Sequence, residues 1–239
     1  MHKTLVVIPA YDEADSLPSV LKELREQVPA SDVLVVSDGS TDATASIARS
    51  AGARVVELPI NLGVGGALRV AFRDAVRDGR YERLVQIDAD GQHEPLVTGQ
   101  LLDRIDAGAD LVIGSRFAAG GAVTYDVSAF RRCGMRILGW LVRALTGQQF
   151  TDTTSGFRAF SRPMVDFFAR SYPSEYMGDT VEALVNACNA GFRVEEVAVN
   201  MRGRDAGAPS TRGFRLFYYY VRLVVVLIAS AGRRPRTTR

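Results

Sequence analysis

Cysteine is nearly missing from this chain of 239 residues: only Cys133 and Cys188 occur, far apart. Two thiols so separated form neither a disulfide framework nor the ligand cluster of a zinc site, so a reducing cytosol is the expected compartment. Long apolar runs are missing too. The first, Leu5 to Ile8, stops at Pro9, too short for the core of a secretory leader. A later apolar stretch, Phe214 to Ala231, is interrupted by Arg215 and Arg222, and nothing approaches the roughly 20 residues of a membrane-spanning helix. No Gly-x-Gly-x-x-Gly follows the first apolar run. The glycine-rich segment 61–67 is followed by Arg69 where a Walker loop needs Lys-Ser/Thr. A dinucleotide fingerprint and a P-loop are therefore excluded. The two histidines carry no pattern: His2 reads as a loose terminus and His93 as a turn residue.

The net charge of +2 conceals an asymmetry. From Arg202 onward there are nine arginines and one acid, a net +8 against −6 over the preceding 201 residues. A basic tail on an acidic body suits a polyanionic partner. Aromatic and aliphatic residues fill the middle of that tail, which favours an anionic lipid surface over nucleic acid.

The first half alternates two periodicities. Leu5 to Ile8, Val33 to Val36, Val55 to Leu58 and Leu84 to Ile87 are short, β-branched apolar runs that predict strands. Between them, Ser16 to Val28 carries Leu17, Val20, Leu21, Leu24 and Val28 at helical spacing. A second helix ends at Gly52, with Ser40 or Thr41 as its cap, and a third runs from the glycine segment to Gly79. This alternation predicts an α/β domain with a mainly parallel sheet and helices on both faces, and such sheets bind ligands beyond the carboxyl ends of their strands. A further helix at Asp179 to Ala190 and an edge strand at Val194 to Val199 complete the domain.

Three acidic loops fall at those ends: Pro9 to Glu13, Ser37 to Asp42 and Asp88 to Gln92. In the third, an apolar strand runs directly into Asp88 and Asp90, spaced i, i+2, with Gly91 and Gln92 following. An extended chain sends both carboxylates to one side. Such a set suits a hard divalent cation that keeps waters and substrate phosphates among its ligands. The same residues read equally as an Asp-Gly surface turn.

The motifs add up. Ile8-Pro9-Ala10-Tyr11-Asp12-Glu13, Ser37-Asp38-Gly39-Ser40-Thr41-Asp42, Asn61-Leu62-Gly63-Val64-Gly65-Gly66-Ala67, Asp88-Ala89-Asp90-Gly91-Gln92-His93, Gly114-Ser115-Arg116 and Asp152-Thr153-Thr154-Ser155-Gly156-Phe157-Arg158 occur in that order. The chain thereby resembles the inverting GT-A glycosyltransferases, especially polyprenyl-phosphate sugar synthases of the dolichol-phosphate mannose synthase type, over about residues 4–210. The resemblance implies that Pro9, Tyr11, Glu13, Val36 and Asp38 surround the base and ribose of a nucleotide-sugar. Asp88, Ala89 and Asp90 would serve the sugar and diphosphate. Asp90 and Gln92 would hold Mg2+ or Mn2+, and Arg116 and Arg204 would meet phosphates. Asp152 is then a residue orienting sugar or acceptor, or a general base, alongside Asp90 and Arg116 as catalytic candidates. Arg132, Ser155 and Arg158 are candidates for the acceptor phosphate. The chain departs from the usual pattern twice: Ser37 replaces the first Asp of Asp-Asp-Gly-Ser, and Thr211 stands where the mannose synthases carry a lysine after Gly-x-Ser.

On this reading, residues 1–210 form one GT-A domain and residues 211–239 an aromatic, basic, membrane-associating tail. Phe130 to Gly147 is expected to be an interfacial amphipathic helix, with Phe130, Ile137, Leu138, Leu141 and Leu145 opposite Arg132, Arg136 and Arg143. The same pattern also describes an ordinary helix packed on the sheet. The expected protein is a metal-dependent enzyme, peripheral on the cytoplasmic face of the cell membrane, that transfers a sugar from a UDP- or GDP-sugar to a polyprenyl phosphate. It contacts anionic lipid and no nucleic acid. Transfer to a hydroxyl acceptor, a catalytically idle nucleotide-binding role, and attachment through a homodimer or a membrane-protein partner stay open.

Overall fold

The computed structural model describes residues 3–118, 122–123, 129–173, 178–202, 222 and 224–225. The first half runs β1 (Thr4–Ala10), α1 (Leu17–Gln27), β2 (Ser31–Ser37), α2 (Thr44–Ser50), β3 (Arg54–Glu57), α3 (Val64–Asp78) and β4 (Arg83–Gln86). A 3-10 turn at Pro95–Val97 then leads into α4 (Thr98–Asp106), β5 (Leu111–Ser115), β6 (Ala122–Val123) and α5 (Ala129–Thr146). The remainder is β7 (Arg158–Ser161), α6 (Arg162–Ser171), α7 (Gly178–Asn189), β8 (Val194–Ala198) and β9 (Asn200–Met201).

Seven strands form one sheet in the order β3-β2-β1-β4-β7-β5-β8, and β6 pairs with β9 separately. Every neighbour pair in the large sheet is parallel except those made by β7, which runs antiparallel to β4 and β5. The mainly parallel sheet expected from the sequence is present, and β8 lies at its edge as expected.

Strand alternation divides the core in two. Leu5, Val7, Leu34, Val36, Leu84, Ile113 and Phe160 face one side, under α3, α5, α6 and α7. Val6, Ile8, Val35, Val85, Ile87, Val112 and Ala159 face the other, under α1, α2 and α4. Both faces are covered, which is why the strands read as unbroken apolar runs.

Two local expectations are corrected. Ser40 and Thr41 do not cap α2, whose N-cap is Ala43 with no side-chain bond. They reach back to the first loop instead: Asp12 N donates to Ser40 Oγ (3.2 Å) and Thr41 N to Asp12 Oδ1 (2.7 Å). The apolar side of α5 is also placed differently. Leu138, Leu141 and Val142 are buried in the core, whereas Ile137 is 51% exposed. That face therefore joins the core and packs against α7, because burying it there removes it from water without a membrane. Among the described residues, no helix is long and apolar enough to cross a membrane. The 203–221 and 226–239 segments, with Arg204 and most of the tail, lie outside the described residues.

Candidate active site

Chain order reverses at β1, which has β2 on one side and β4 on the other, the position at whose carboxyl ends such sheets bind ligands. The loops after β1, β2, β4 and β5, and the one before the antiparallel β7, all meet at that edge.

The nucleotide-side loops are tied together. Asp12 adopts φ 50°, the one described non-glycine residue in the left-handed region, while its carboxylate accepts Thr41 N. Glu13 N donates to Thr44 Oγ1 (2.9 Å), and Ser16 Oγ donates to Glu13 Oε2 (2.5 Å). Asp38 is 3% exposed and accepts Leu62 N at 2.7 Å, joining the β2 loop to the glycine segment. Burial pushes the Asp38 carboxyl above its ordinary value, against the opposing pull of the Leu62 and Gly63 backbone amides. Gly39 lies so close to the Ile60–Asn61 backbone that a Cβ there would meet Asn61 N at 2.6 Å. Tyr11 remains 48% exposed at the rim. Pro9 and Val36 are register partners on adjacent strands. The Val36 side chain is fully buried in the core.

At the centre, the chain turns immediately after β4. The side chain of Asp88 is 35% exposed. His93 Nε2 donates to Asp88 Oδ2 (3.2 Å), and Gly156 lies beneath, where a Cβ would come within 2.6 Å of the same oxygen. Burial opposes ionisation of Asp88, but the His93 and Gln86 hydrogen bonds and the charge of Arg116 outweigh it and hold the carboxyl below its ordinary range. His93 is no surface turn residue: it is 3% exposed, lies against the Phe157 ring at 5.1 Å, and keeps a buried Nδ1 with no hydrogen-bond partner. Ala89 and Asp90 are buried, and Asp90 Oδ1 accepts Gln92 N (3.1 Å).

Gln92 Nε2 donates to the Arg202 carbonyl (3.3 Å), so the amide nitrogen is engaged and its oxygen is left for another partner. Arg202 is in turn held by Glu23 (2.9 and 3.0 Å) and Glu94 (3.5 Å). This arginine, counted with the basic tail, serves inside the domain. Among the described residues, no three His, Cys, Asp or Glu side chains cluster as a metal site complete in itself. The donor set present, one buried carboxylate beside an amide oxygen, fits Mg2+ or Mn2+, which bind through one or two carboxylates and let substrate phosphates fill the shell.

On the acceptor side, Asp152 and Arg116 come together. Arg116 Nε donates to Asp152 Oδ2 (2.6 Å) and Nη2 to Oδ1 (2.7 Å), a bidentate pair. Arg116 N, Thr154 N and Thr154 Oγ1 add further donors to the same carboxylate at 3.2–3.3 Å. Burial would raise the pKa of Asp152, yet the Arg116 bonds and charge prevail and hold it below its ordinary value. Asp152 is 1% exposed.

Glu196 on β8 supports the same loop. It accepts Thr151 N, Thr151 Oγ1 and Asp152 N at 2.9–3.0 Å. Sequence reasoning passed over Glu196, although carboxylates are depleted in strands and two stand side by side in β8.

The acceptor-phosphate candidates are placed unevenly. Arg158 is wholly buried, and its guanidinium donates to the carbonyls of Ser155 (2.8 Å), Thr180 (2.9 Å) and Thr153 (3.2 Å). It holds the loop together and does not present itself to a ligand. Ser155 is 3% exposed and accepts Phe157 N (3.2 Å). Arg132 lies on α5, and its side chain is outside the described set.

Known proteins share this architecture. Residues 5–168 match the family described as Glycosyl transferase family 2. A polyprenol monophosphomannose synthase of Mycolicibacterium smegmatis is 33% identical, with 100% of this chain and 90% of that protein covered. An undecaprenyl-phosphate mannosyltransferase of Micrococcus luteus is 34% identical, with 88% of each covered. Among solved structures, glucosyl-3-phosphoglycerate synthase of Mycobacterium tuberculosis, in complex with Mn2+, UDP and phosphoglyceric acid, superposes with a TM-score of 0.73 at 22% identity. That alignment covers 99% of this chain and 80% of that one, and shows a shared fold. With the family match spanning more than half of its length and relatives above 30% identity along nearly all of it, the chain belongs to glycosyl transferase family 2.

Proposed function

We propose that this protein transfers a sugar from a nucleotide-sugar to a polyprenyl monophosphate with inversion at the anomeric carbon. The observation that carries this reading is the state of Asp152. A hydroxyl acceptor needs a base to take its proton, whereas Asp152 is buried, ionised and held by Arg116. A phosphate monoester arrives with an anionic oxygen already able to attack, and needs only to be positioned. Relatives whose names specify polyprenol and undecaprenyl-phosphate mannosyl transfer support the same acceptor class.

In this reading, Asp38, Tyr11 and Glu13 border the base and ribose, and Asp88 and Asp90 border the sugar and diphosphate. Asp90 and Gln92 would hold Mg2+ or Mn2+, which when bound neutralises charge gathering on the departing diphosphate. Arg116 contributes positive charge beside the sugar site while fixing Asp152. Arg204 is proposed at the phosphates. Residues 1–210 form the catalytic domain, and residues 211–239 bring it to the anionic cytoplasmic face of the membrane.

The test is a donor panel of UDP- and GDP-sugars with Mg2+ or Mn2+, scored as nucleoside diphosphate release with and without a short polyprenyl phosphate. Release from one donor only when lipid phosphate is present supports the proposal. Release indifferent to lipid phosphate, or restored by a sugar hydroxyl acceptor, overturns it.

A further inference from the structure

We propose that Arg202, clamped between Glu23 and Glu94, is a positioning residue for the metal: it holds Gln92 so that the amide oxygen is offered to the cation beside Asp90. The inference rests on the reading of Asp90 and Gln92 as metal ligands given above. It concerns an arginine that its place in the chain counts with the basic tail.

Gln92 is tied to this one residue twice. Arg202 N donates to the Gln92 carbonyl (3.0 Å), and Gln92 Nε2 donates to the Arg202 carbonyl (3.3 Å). Main chain and side chain of Gln92 therefore both take their place from the backbone of Arg202. The last torsion of a glutamine is broad and roughly two-fold, so an unheld amide presents nitrogen as readily as oxygen. A nitrogen bound to a fixed carbonyl removes that ambiguity and leaves the oxygen for a cation.

The backbone leading to Arg202 is itself stapled across the site. Val199 N donates to the Ser115 carbonyl (3.0 Å), beside Arg116. Asn200 and Met201 pair with Ala122 and Val123, and Met201 forms an antiparallel bridge with His93. At the end of this segment the side chain of Arg202 does the fixing. Its Nη1 meets both oxygens of Glu23 in α1 (2.9 and 3.0 Å), and Nε lies 3.5 Å from Glu94.

The side chains of Arg202 and Glu23 are 40% and 31% exposed, and ion pairs so open to solvent add little to stability. Their effect is geometric. A planar guanidinium engages two carboxylates in fixed directions, which the point charge of a lysine does less well. Partners that orient a metal ligand from outside the coordination shell typically matter 10- to 100-fold in metal affinity. Charge alone predicts the opposite sign: a cation near a divalent-ion site repels the ion, so neutralising Arg202 would tighten binding. Positioning predicts that it weakens binding.

The EPR signal of free Mn2+, titrated with the full-length protein, measures binding without turnover. Asp90→Asn should abolish most of the binding. Arg202→Met should weaken it roughly 10-fold, Arg202→Lys much less, and the Mn2+ concentration for half-maximal turnover should rise in step while the melting temperature moves little. Adding Arg202→Met to Gln92→Ala should cost nothing further, because Arg202 acts through Gln92. Should Arg202→Met fail to fold, the isosteric Glu23→Gln asks the same question: weaker Mn2+ binding that vanishes in the Gln92→Ala background supports the proposal. Unchanged or tighter Mn2+ binding by folded Arg202→Met overturns it and leaves the metal reading intact. A loss as large with Gln92→Ala as without it also overturns it, as a general loosening of the cleft. Mn2+ binding by Asp90→Asn equal to that of the parent overturns the metal reading, and this inference with it.

Discussion

Arg116 and Asp152, 36 positions apart, meet through two parallel hydrogen bonds of 2.6 and 2.7 Å and thereby lock the loop after β5 to the loop before β7. The Asp152 side chain is fully buried and that of Arg116 is 12% exposed, so the pair lies beyond solvent screening. Removing one partner leaves an uncompensated charge, which typically costs about 3–5 kcal/mol. Asp152→Asn and Arg116→Gln should each lower stability by an amount of that order in denaturant titration. The double variant should lose far less than the sum of the two. Additive losses would show that the two side chains act independently.

Gly156 tests the placement of Asp88. Alanine there would push a methyl group to 2.6 Å from Asp88 Oδ2, and the carboxylate is held by His93. Gly156→Ala should lower kcat/KM by about 10- to 100-fold, equivalent to roughly 1.4–2.7 kcal/mol. The melting temperature should change little, since the movement falls on a side chain at the cleft floor. Unaltered kcat/KM in a folded variant would remove Asp88 from the reaction.

Gly39 tests the nucleotide side. Its φ of 70° and the 2.6 Å approach to the Asn61 amide both exclude a Cβ. Gly39→Ala should strain the turn by about 1–2 kcal/mol and separate the Asp38 loop from Leu62. The expected kinetic signature is a raised KM for the nucleotide-sugar with a smaller change in kcat, measured by initial rates over a donor series.

Asp179, in the first turn of α7, is almost wholly buried, and that burial pushes its carboxyl up to about 6. Arg158 pulls the other way without prevailing. The folded chain holds this proton more tightly than the unfolded chain, whose aspartate titrates near 3.9. The stability it contributes is therefore complete below about pH 4 and lost as pH rises through 6. Asp179→Asn should match the parent at pH 4 and exceed it by about 1–3 kcal/mol at pH 8. A pH-independent difference would contradict the assignment. Asp152 has the opposite sign: its lowered pKa adds stability above about pH 4 that disappears on acidification.

The parallel half of the fold was legible because β1, β2 and β4 are β-branched runs that end in polar loops, and α1 and α3 keep their period for 11 and 15 residues. The antiparallel β7 was not, since four residues beginning with a buried arginine carry too little periodicity to announce a strand. The acidic loops were found, but their long-range partners were not. Ser40 and Thr41 suit a helix cap by local chemistry, and only the fold brings Asp12 close enough to take Thr41 instead. Arg116 and Asp152 were singled out separately, one as a phosphate ligand and the other as a residue orienting sugar or acceptor or a general base, and only the fold shows that they pair. On α5 the leucines carried the helical stripe into the core.

The most direct test of the account is the chemical identity of the product. Phosphorus NMR of the lipid recovered after turnover, with the anomeric proton coupling of its sugar, reads both the bond formed and its stereochemistry. The account predicts a sugar–phosphate–polyprenol diester whose anomeric configuration is inverted relative to the donor. A lipid still carrying a phosphate monoester, with the sugar on a hydroxyl or released to water, would contradict it.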